Sequence, residues 1–328
     1  MAAYVLHAKS YYRGVDGQPT SEYRSVKTSL RDLRRLYEDC PLEQFGAAQL
    51  KAVRQAMIVR GWNRAVVNQA VRRIKAMFRW GVEEGLVTDP AVWHRVASVR
   101  ALQRGRCDAP EPEPVTGVSP DVVERTLPYL LPHLAAVVRL QQLTGARPGE
   151  ILRMRWGEID QSGPLWFYRP AKHKNAWREQ PLVIPLNAHA QFILRHYWRD
   201  NPEEPIFQPR EAMAMRNAIR RAKRKTKVQP SQVNRAVAAP RKRPGVEYTT
   251  MAYGHAIRAA CRAAGVPPWR PHQIRHAIVT QLAARHGPVV AGAAVGQKTL
   301  AVTLRYVTPD QAAGQQAIAD LKLPKRVG

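Results

Sequence analysis

Apolar residues in the first hundred positions recur at three- and four-residue intervals, the period of a helix with one buried face. Leu30, Leu33, Leu36 and Tyr37 form one such stripe, headed by Ser29 and Asp32 in the manner of a capping box, so a helix is expected to start there. Leu50, Val53 and Met57 form a second stripe, closed by Gly61 as a C-terminal cap. A third helix, roughly 64–84, turns Val67, Val71, Ile74, Met77 and Phe78 inward and carries Arg64, Arg72, Arg73, Lys75 and Arg79 on its other side. Asp89-Pro90 has the form of an N-cap followed by a proline in the first helical position, heading a fourth helix that buries Val92, Trp93 and Val96.

The pattern breaks from about Ser98 to Gly117, and Asp108-Ala-Pro-Glu-Pro-Glu-Pro is acidic and stiffened by proline, as interdomain linkers are. Beyond it, Ser119-Pro120 opens a helix, a second helix runs from Leu131 to Leu143 and stops at Gly145, and Pro148 starts a third with Ile151, Leu152 and Met154. Leu165-Trp-Phe-Tyr-Arg and Leu182-Val-Ile read as the two strands of a hairpin whose turn holds Lys172, Lys174 and Arg178. Helices are expected to resume at Asn187, from about Glu247 to Ala264, and from Pro271 to Arg285. The fold class is therefore mainly α with a small β-sheet or hairpin. It divides into a helical domain over 1–100, a linker over 101–117 and a second domain over 118–328 with a basic insertion at about 210–245.

Charge changes the picture. Lys and Arg number 52 against 25 Asp and Glu, a net +27 that suits a polyanionic partner. The insertion concentrates it: from Arg216 to Arg243 there are eleven Lys or Arg and no acid, among them Arg220, Arg221, Lys223, Arg224 and Lys225, with the stretch expected to lie along phosphates. No apolar run is long enough for a membrane span and no signal-peptide pattern follows Met1, which points to an internal, cytoplasmic protein. Cys40, Cys107 and Cys261 are odd in number and far apart, so neither a disulfide framework nor a zinc knuckle is suggested.

Candidate chemistry lies in three separated segments. Arg147 stands just before Pro148, at an expected helix N-terminus where spare N–H groups favour an anion. His272 and Arg275 are three residues apart and so share a helix face, and Tyr306 follows 34 residues after His272. Two guanidinium groups can neutralise the non-bridging oxygens of a phosphodiester, because each stays protonated and offers a bidentate fork. A histidine can donate to the phosphate or shuttle a proton, and a phenol can attack phosphorus. His272 and His276 are spaced like a metal pair, but the glutamate of a His-Glu-x-x-His site is missing and no metal is expected.

In that order and spacing the residues resemble the tyrosine recombinases of the phage-integrase type, over nearly the whole chain. Thr144-Gly-Ala-Arg147-Pro-Gly-Glu150 resembles that family's arginine segment, His272 to Arg275 its His-x-x-Arg, and Tyr306 its nucleophile. The resemblance implies a helical core-binding domain followed by a catalytic domain, and strand exchange on double-stranded DNA through a 3′-phosphotyrosyl intermediate by a tetramer on paired sites. It implies no ATP, metal or other cofactor. Glu150 matches an acidic supporting residue, His276 a packing residue, and Lys174 the general acid, with Lys172 in reserve. One position departs: Gln297, after Gly296 and nine residues before Tyr306, stands where the family usually has His or Trp. Two rival readings are a type IB topoisomerase-like enzyme and a DNA-binding protein of the same fold with weakened catalysis. A helix from about Asp310 to Leu321 is expected either to dock onto a neighbouring copy or to pack on its own domain, and the segment before Ser29 is short for an additional arm-binding domain.

Overall fold

The computed structural model describes residues 1–14, 17–171, 181–230, 245–297 and 299–307. Lys172, Lys174, Arg178 and the expected helix at 310–321 lie outside them. The chain divides into two compact units, Met1–Pro114 and Val115–Gly328.

The first unit is built from α1 (Ala2–Tyr11), α2 (Ser21–Tyr37), α3 (Ala47–Val59), α4 (Arg64–Glu83) and α5 (Ala91–Ala97). Helix α4 is its axis: Asn63 Oδ1 accepts from the Val66 N–H at 3.0 Å as the N-cap, and Val67, Val71, Ile74, Met77 and Phe78 are buried as their spacing predicts. Each such side chain contributes about 1.5–3 kcal/mol on full burial. Helix α3 ends as expected, with Gly61 in the left-handed region at φ 85°, and Asp89 Oδ1 accepts from the Ala91 N–H to start α5.

Two expectations need correcting. Helix α2 starts at Ser21, not at Ser29: Ser29 Oγ donates to the Ser25 carbonyl inside the helix, and the fully buried Asp32 pairs with Arg60 from α3. What looked like a cap is a buried polar pair. Helix α1 was not foreseen, because its apolar residues do not share a face; Tyr4 and Ala8 are buried while Leu6 is exposed. The segment read as a linker also lies largely within this unit. Asn68 accepts from the Leu102 N–H and donates to its carbonyl, Ala109 is buried, and Arg64 pairs with Glu111.

The second unit opens with α6 (Pro120–Thr126), α7 (Pro132–Thr144) and α8 (Pro148–Leu152). A sheet follows in the order β1 (Ile159–Asp160), β2 (Trp166–Tyr168), β3 (Ile184–Leu186), antiparallel throughout, with Trp166 opposite Leu186 and Tyr168 opposite Ile184. The hairpin is where the alternation puts it, but its second strand begins two residues late, and β1 was too short to announce itself. Pro185 is tolerated because β3 is an edge strand whose partner lies on one side.

Helices α9 (Ala188–Arg195), α10 (Pro209–Ala222), α11 (Thr250–Ala264), α12 (Pro271–Ala294) and α13 (Leu300–Thr303) complete the unit. Helix α12 is interrupted at Gly287, φ 79° and ψ 159°, just ahead of Pro288, so only its first part is the helix read from sequence. Helix α10 accounts for the front of the basic insertion; Ala212 is its buried residue, and Arg220, Arg221, Lys223, Arg224 and Lys225 at its end are exposed. Among the described residues no helix is long and apolar enough to cross a membrane.

Candidate active site

Helix α7 ends in a left-handed Gly145, φ 61°, with Thr144 Oγ donating to the Leu140 carbonyl and accepting from the Ala146 N–H. This turn delivers Arg147 to the N-cap of α8. Glu150, 3 % exposed, takes the Arg147 backbone N–H at 2.7 Å on one carboxylate oxygen and Arg147 Nη1 at 2.8 Å on the other. Tyr168 from β2 donates to the Glu150 carbonyl at 2.9 Å and fixes α8 against the sheet. The Arg147 side chain remains partly exposed.

Arg275 reaches the same place from α12 and is wholly buried. Its Nη1 donates to the Gly145 carbonyl and its Nη2 to the Val295 carbonyl, both at 2.9 Å. Its Nε is buried with no partner among the described residues. Burial, then the nearby charge of Arg147, brings its pKa down to about 10, with Glu150 and Tyr306 acting the other way. At neutral pH it is still a cation. Two guanidinium groups thus lie near one carboxylate that bonds only Arg147, and the surplus positive charge invites an anion.

Tyr306 sits just past α13, half-buried, with its backbone carbonyl accepting from Thr280 Oγ at 2.7 Å. Its ring lies 4.3 Å from that of His276, tilted at 41°, and the Arg275 guanidinium carbon is 5.8 Å from its centroid. Thr280 and His276 are four residues apart on one face of α12, so a single helix holds both the backbone and the ring of the phenol. Burial, and then the charges of His272 and Arg275, hold the His276 pKa below the usual histidine value. His272 itself is exposed in the first turn of α12.

Gln297 lies beyond the end of α12, its N–H donating to the Gly292 carbonyl at 2.7 Å. Both its carboxamide atoms are buried without a partner among the described residues. The preceding Gly296 has φ 68°, and a Cβ there would come within 2.5 Å of Leu182, just ahead of β3. The structure thus brings Arg147, Glu150, Arg275, His276 and Tyr306 together, places His272 at the start of the same helix, and puts Gln297 two residues past the Val295 carbonyl that Arg275 holds. Sequence reading missed Thr280 and the two carbonyl acceptors. Thr280 alone had a signal, being eight residues beyond His272 on the same helical face.

On the first unit, the cations expected on the outside of α4 are largely engaged. Arg73 makes two bonds to Glu22, at 2.6 and 2.9 Å, Arg79 pairs with Glu83, Arg64 with Glu111, and Lys75 donates to the Ala97 and Val99 carbonyls. Arg72 is exposed.

The model of the phage integrase family matches residues 119–312. A lambda integrase dimer (residues 75–356) bound to a COC' core site shares the fold with TM-score 0.64 and 15% identity, covering 94% of this chain and 93% of that one. The Tn1549 transposon integrase in complex with circular intermediate DNA gives 0.63 and 15%, covering 97% and 98%. A lambda integrase tetramer bound to a Holliday junction gives 0.58 and 15%, covering 94% and 77%. No curated protein sequence matches the chain.

Proposed function

Since the chain belongs to the phage integrase family, we propose that it is a site-specific DNA recombinase that cuts and rejoins strands through Tyr306, for integration or excision of a mobile element. The phenol gives up its proton to His272 as its oxygen attacks the scissile phosphorus, a 3′-phosphotyrosyl bond forms, and the bond to the 5′ oxygen breaks. Lys174 supplies the proton to that leaving oxygen, with Lys172 as the alternative. A 5′-hydroxyl from a partner strand then attacks the phosphotyrosine and releases the phenol, so the phosphodiester count is conserved without ATP or metal.

One observation carries this reading: the Arg275 guanidinium, close enough to Arg147 to feel its charge, lies 5.8 Å from the centre of the Tyr306 ring. Donors held in place before the reaction stabilise charge developing on the non-bridging oxygens, each worth about 2.7–4 kcal/mol in comparable oxyanion sites. In this reading His272, once protonated, also donates to the same phosphate. Gln297 offers a neutral donor there, weaker for charge stabilisation than an imidazolium. Exchange on two duplexes requires four such sites, which makes a tetramer on DNA the working form, and a tetrameric lambda integrase of similar fold supports it.

The test uses nicked duplexes tiled from the DNA flanking the gene. A covalent protein–DNA adduct is expected with the natural chain and none with Tyr306→Phe; Lys174→Ala loses it while Lys172→Ala keeps it. Sequence-specific binding without any adduct would favour the non-catalytic DNA-binding protein, and relaxation of supercoiled plasmid by a monomer would favour topoisomerase-like chemistry.

A further inference from the structure

Tyr306 rides on a segment with little regular structure of its own. Helix α13 spans four residues, and the turn that follows it is shaped by the Tyr306 N–H donating to the Thr303 carbonyl at 2.9 Å. That bond is local and does not fix the segment to the rest of the unit. Packing does part of the fixing. Thr303 is buried so close to Gly292 that a Cβ there would lie 2.5 Å from its hydroxyl oxygen, and Tyr306 and Val307 pack against the cluster of Val279, Ala291 and Val295. Apolar packing is non-directional and tolerates small rotations, whereas a hydrogen bond weakens steeply as it bends. The directional bond that reaches the nucleophile's own backbone from outside the segment is the 2.7 Å bond from Thr280 Oγ1 to the Tyr306 carbonyl.

That hydroxyl departs from the pattern of other helical hydroxyls in the chain. A serine or threonine inside a helix commonly turns its hydroxyl to the carbonyl four residues back, as Thr28, Thr126 and Thr144 do with Arg24, Val122 and Leu140. Thr280 stands inside α12 and reaches 26 residues ahead instead. The same helix carries Arg275, fixed to the Gly145 and Val295 carbonyls, and His276, whose ring meets that of Tyr306. The bond therefore registers the main chain of the nucleophile to the helix that presents the guanidinium proposed to hold the phosphate. Held at its carbonyl by Thr280 and at its ring by His276, the tyrosine has its line of approach set before DNA arrives. Displacements of about 1 Å in such an approach can cost on the order of 100-fold in rate.

We infer that Thr280 is a positioning residue for the strand-cleavage step, acting through Tyr306 and touching neither the phosphate nor the leaving oxygen. The inference rests on the recombinase reading and adds a residue to it. Its effect is one-sided. Before cleavage the orientation of the phenol depends on the hold of Thr280 and His276, whereas after cleavage the phosphotyrosyl bond itself ties Tyr306 to the DNA. Without the Thr280 hydroxyl, ordering of the segment falls to the forward reaction, while resealing starts from a tyrosine already in place. Cleavage slows, resealing does not, and the covalent intermediate becomes a smaller share at equilibrium.

The experiment follows single turnovers of the full chain, at saturating protein, on a nicked duplex with which the natural chain forms its adduct. Thr280→Val keeps the branched shape and removes the hydroxyl. It is expected to slow adduct formation roughly 2- to 12-fold, the weight of one net hydrogen bond, with the affinity for the duplex unchanged. Resealing, started by adding a 5′-hydroxyl strand to adduct already formed, should keep its natural rate. Thr280→Ser returns the hydroxyl on a smaller side chain and should recover cleavage. A natural cleavage rate in Thr280→Val overturns the assignment. So does equal slowing of cleavage and resealing, weakened DNA binding, or a serine variant no faster than the valine one, since each marks a merely structural side chain. Absence of adduct from the natural chain on every duplex would instead overturn the recombinase reading, and the role of Thr280 with it.

Discussion

Gly145→Ala should damage the second unit more than its one added methyl suggests, and the damage divides into two measurable parts. Gly145 adopts φ 61°, where an L residue other than glycine costs roughly 1–2 kcal/mol. A Cβ there would also lie 2.8 Å from Val295 Cγ1 and 3.2 Å from Ile278 Cγ2, both inside ordinary contact distance. The nearer neighbour does not yield easily, since Val295 is buried and its carbonyl is held by Arg275. Relief of such overpacking typically costs about 1–3 kcal/mol more. Gly265 provides the control: it has nearly the same backbone, φ 63°, but nothing within 4 Å of a built Cβ. Gly265→Ala should therefore show the backbone cost alone, and the difference between the two variants, about 1–3 kcal/mol, isolates the collision. Urea unfolding followed by tryptophan fluorescence reads both, with the second-unit transition taken as the one that moves between the two variants. Equal losses in the two variants would mean that the segment around Val295 gives way freely, and the account of a rigid Arg275 anchorage would be wrong.

Glu150→Gln should lower the urea midpoint by the equivalent of about 1–3 kcal/mol, because a buried carboxylate holding two Arg147 donors is replaced by an amide that accepts at only one oxygen. His276→Phe should flatten the stability of the second unit below neutral pH. The folded histidine has its pKa lowered, so it withholds a proton that the unfolded chain binds; the natural protein loses stability as pH falls below about 6.5, levelling off under the folded pKa, and melting curves from pH 7.5 to 5 compare the two. Glu22→Gln should blunt the acid sensitivity of the first unit. Its carboxyl is held below the usual range chiefly by hydrogen bonding from Arg73, so that stabilisation is present above the unfolded carboxylate pKa and fades as pH drops through the lower folded value; acid titration of ellipticity checks it.

How much of this was legible in sequence depended on distance along the chain. Arg147 and Glu150 stand three residues apart, so their pairing could be suspected from spacing, and α4 announced its buried face by period alone. Arg275 was recognisable as a guanidinium near a histidine, but its acceptors are the carbonyls of Gly145, 130 residues away, and Val295, 20 away, and no local pattern encodes a backbone acceptor. The same limit misplaced the start of α2. Ser29 and Asp32 have the chemistry of a cap, and only Arg60, 28 residues on from Asp32, shows that the carboxylate is needed inside the helix. Charge on α4 was visible while its neutralisation by Glu22 and Glu111, 51 and 47 residues distant, was not.

The two carbonyls gripped by Arg275 belong to the end of one helix and the end of another, so that guanidinium works as a rivet between them besides the phosphate-binding role proposed for it. Replacing it confounds lost reactivity with a shifted scaffold, and a silent variant at 275 says little about either. A chemically inert version meant to preserve architecture, for trapping assemblies on DNA, is better made at 306, where removing one oxygen leaves the ring on His276 and the backbone on Thr280 undisturbed.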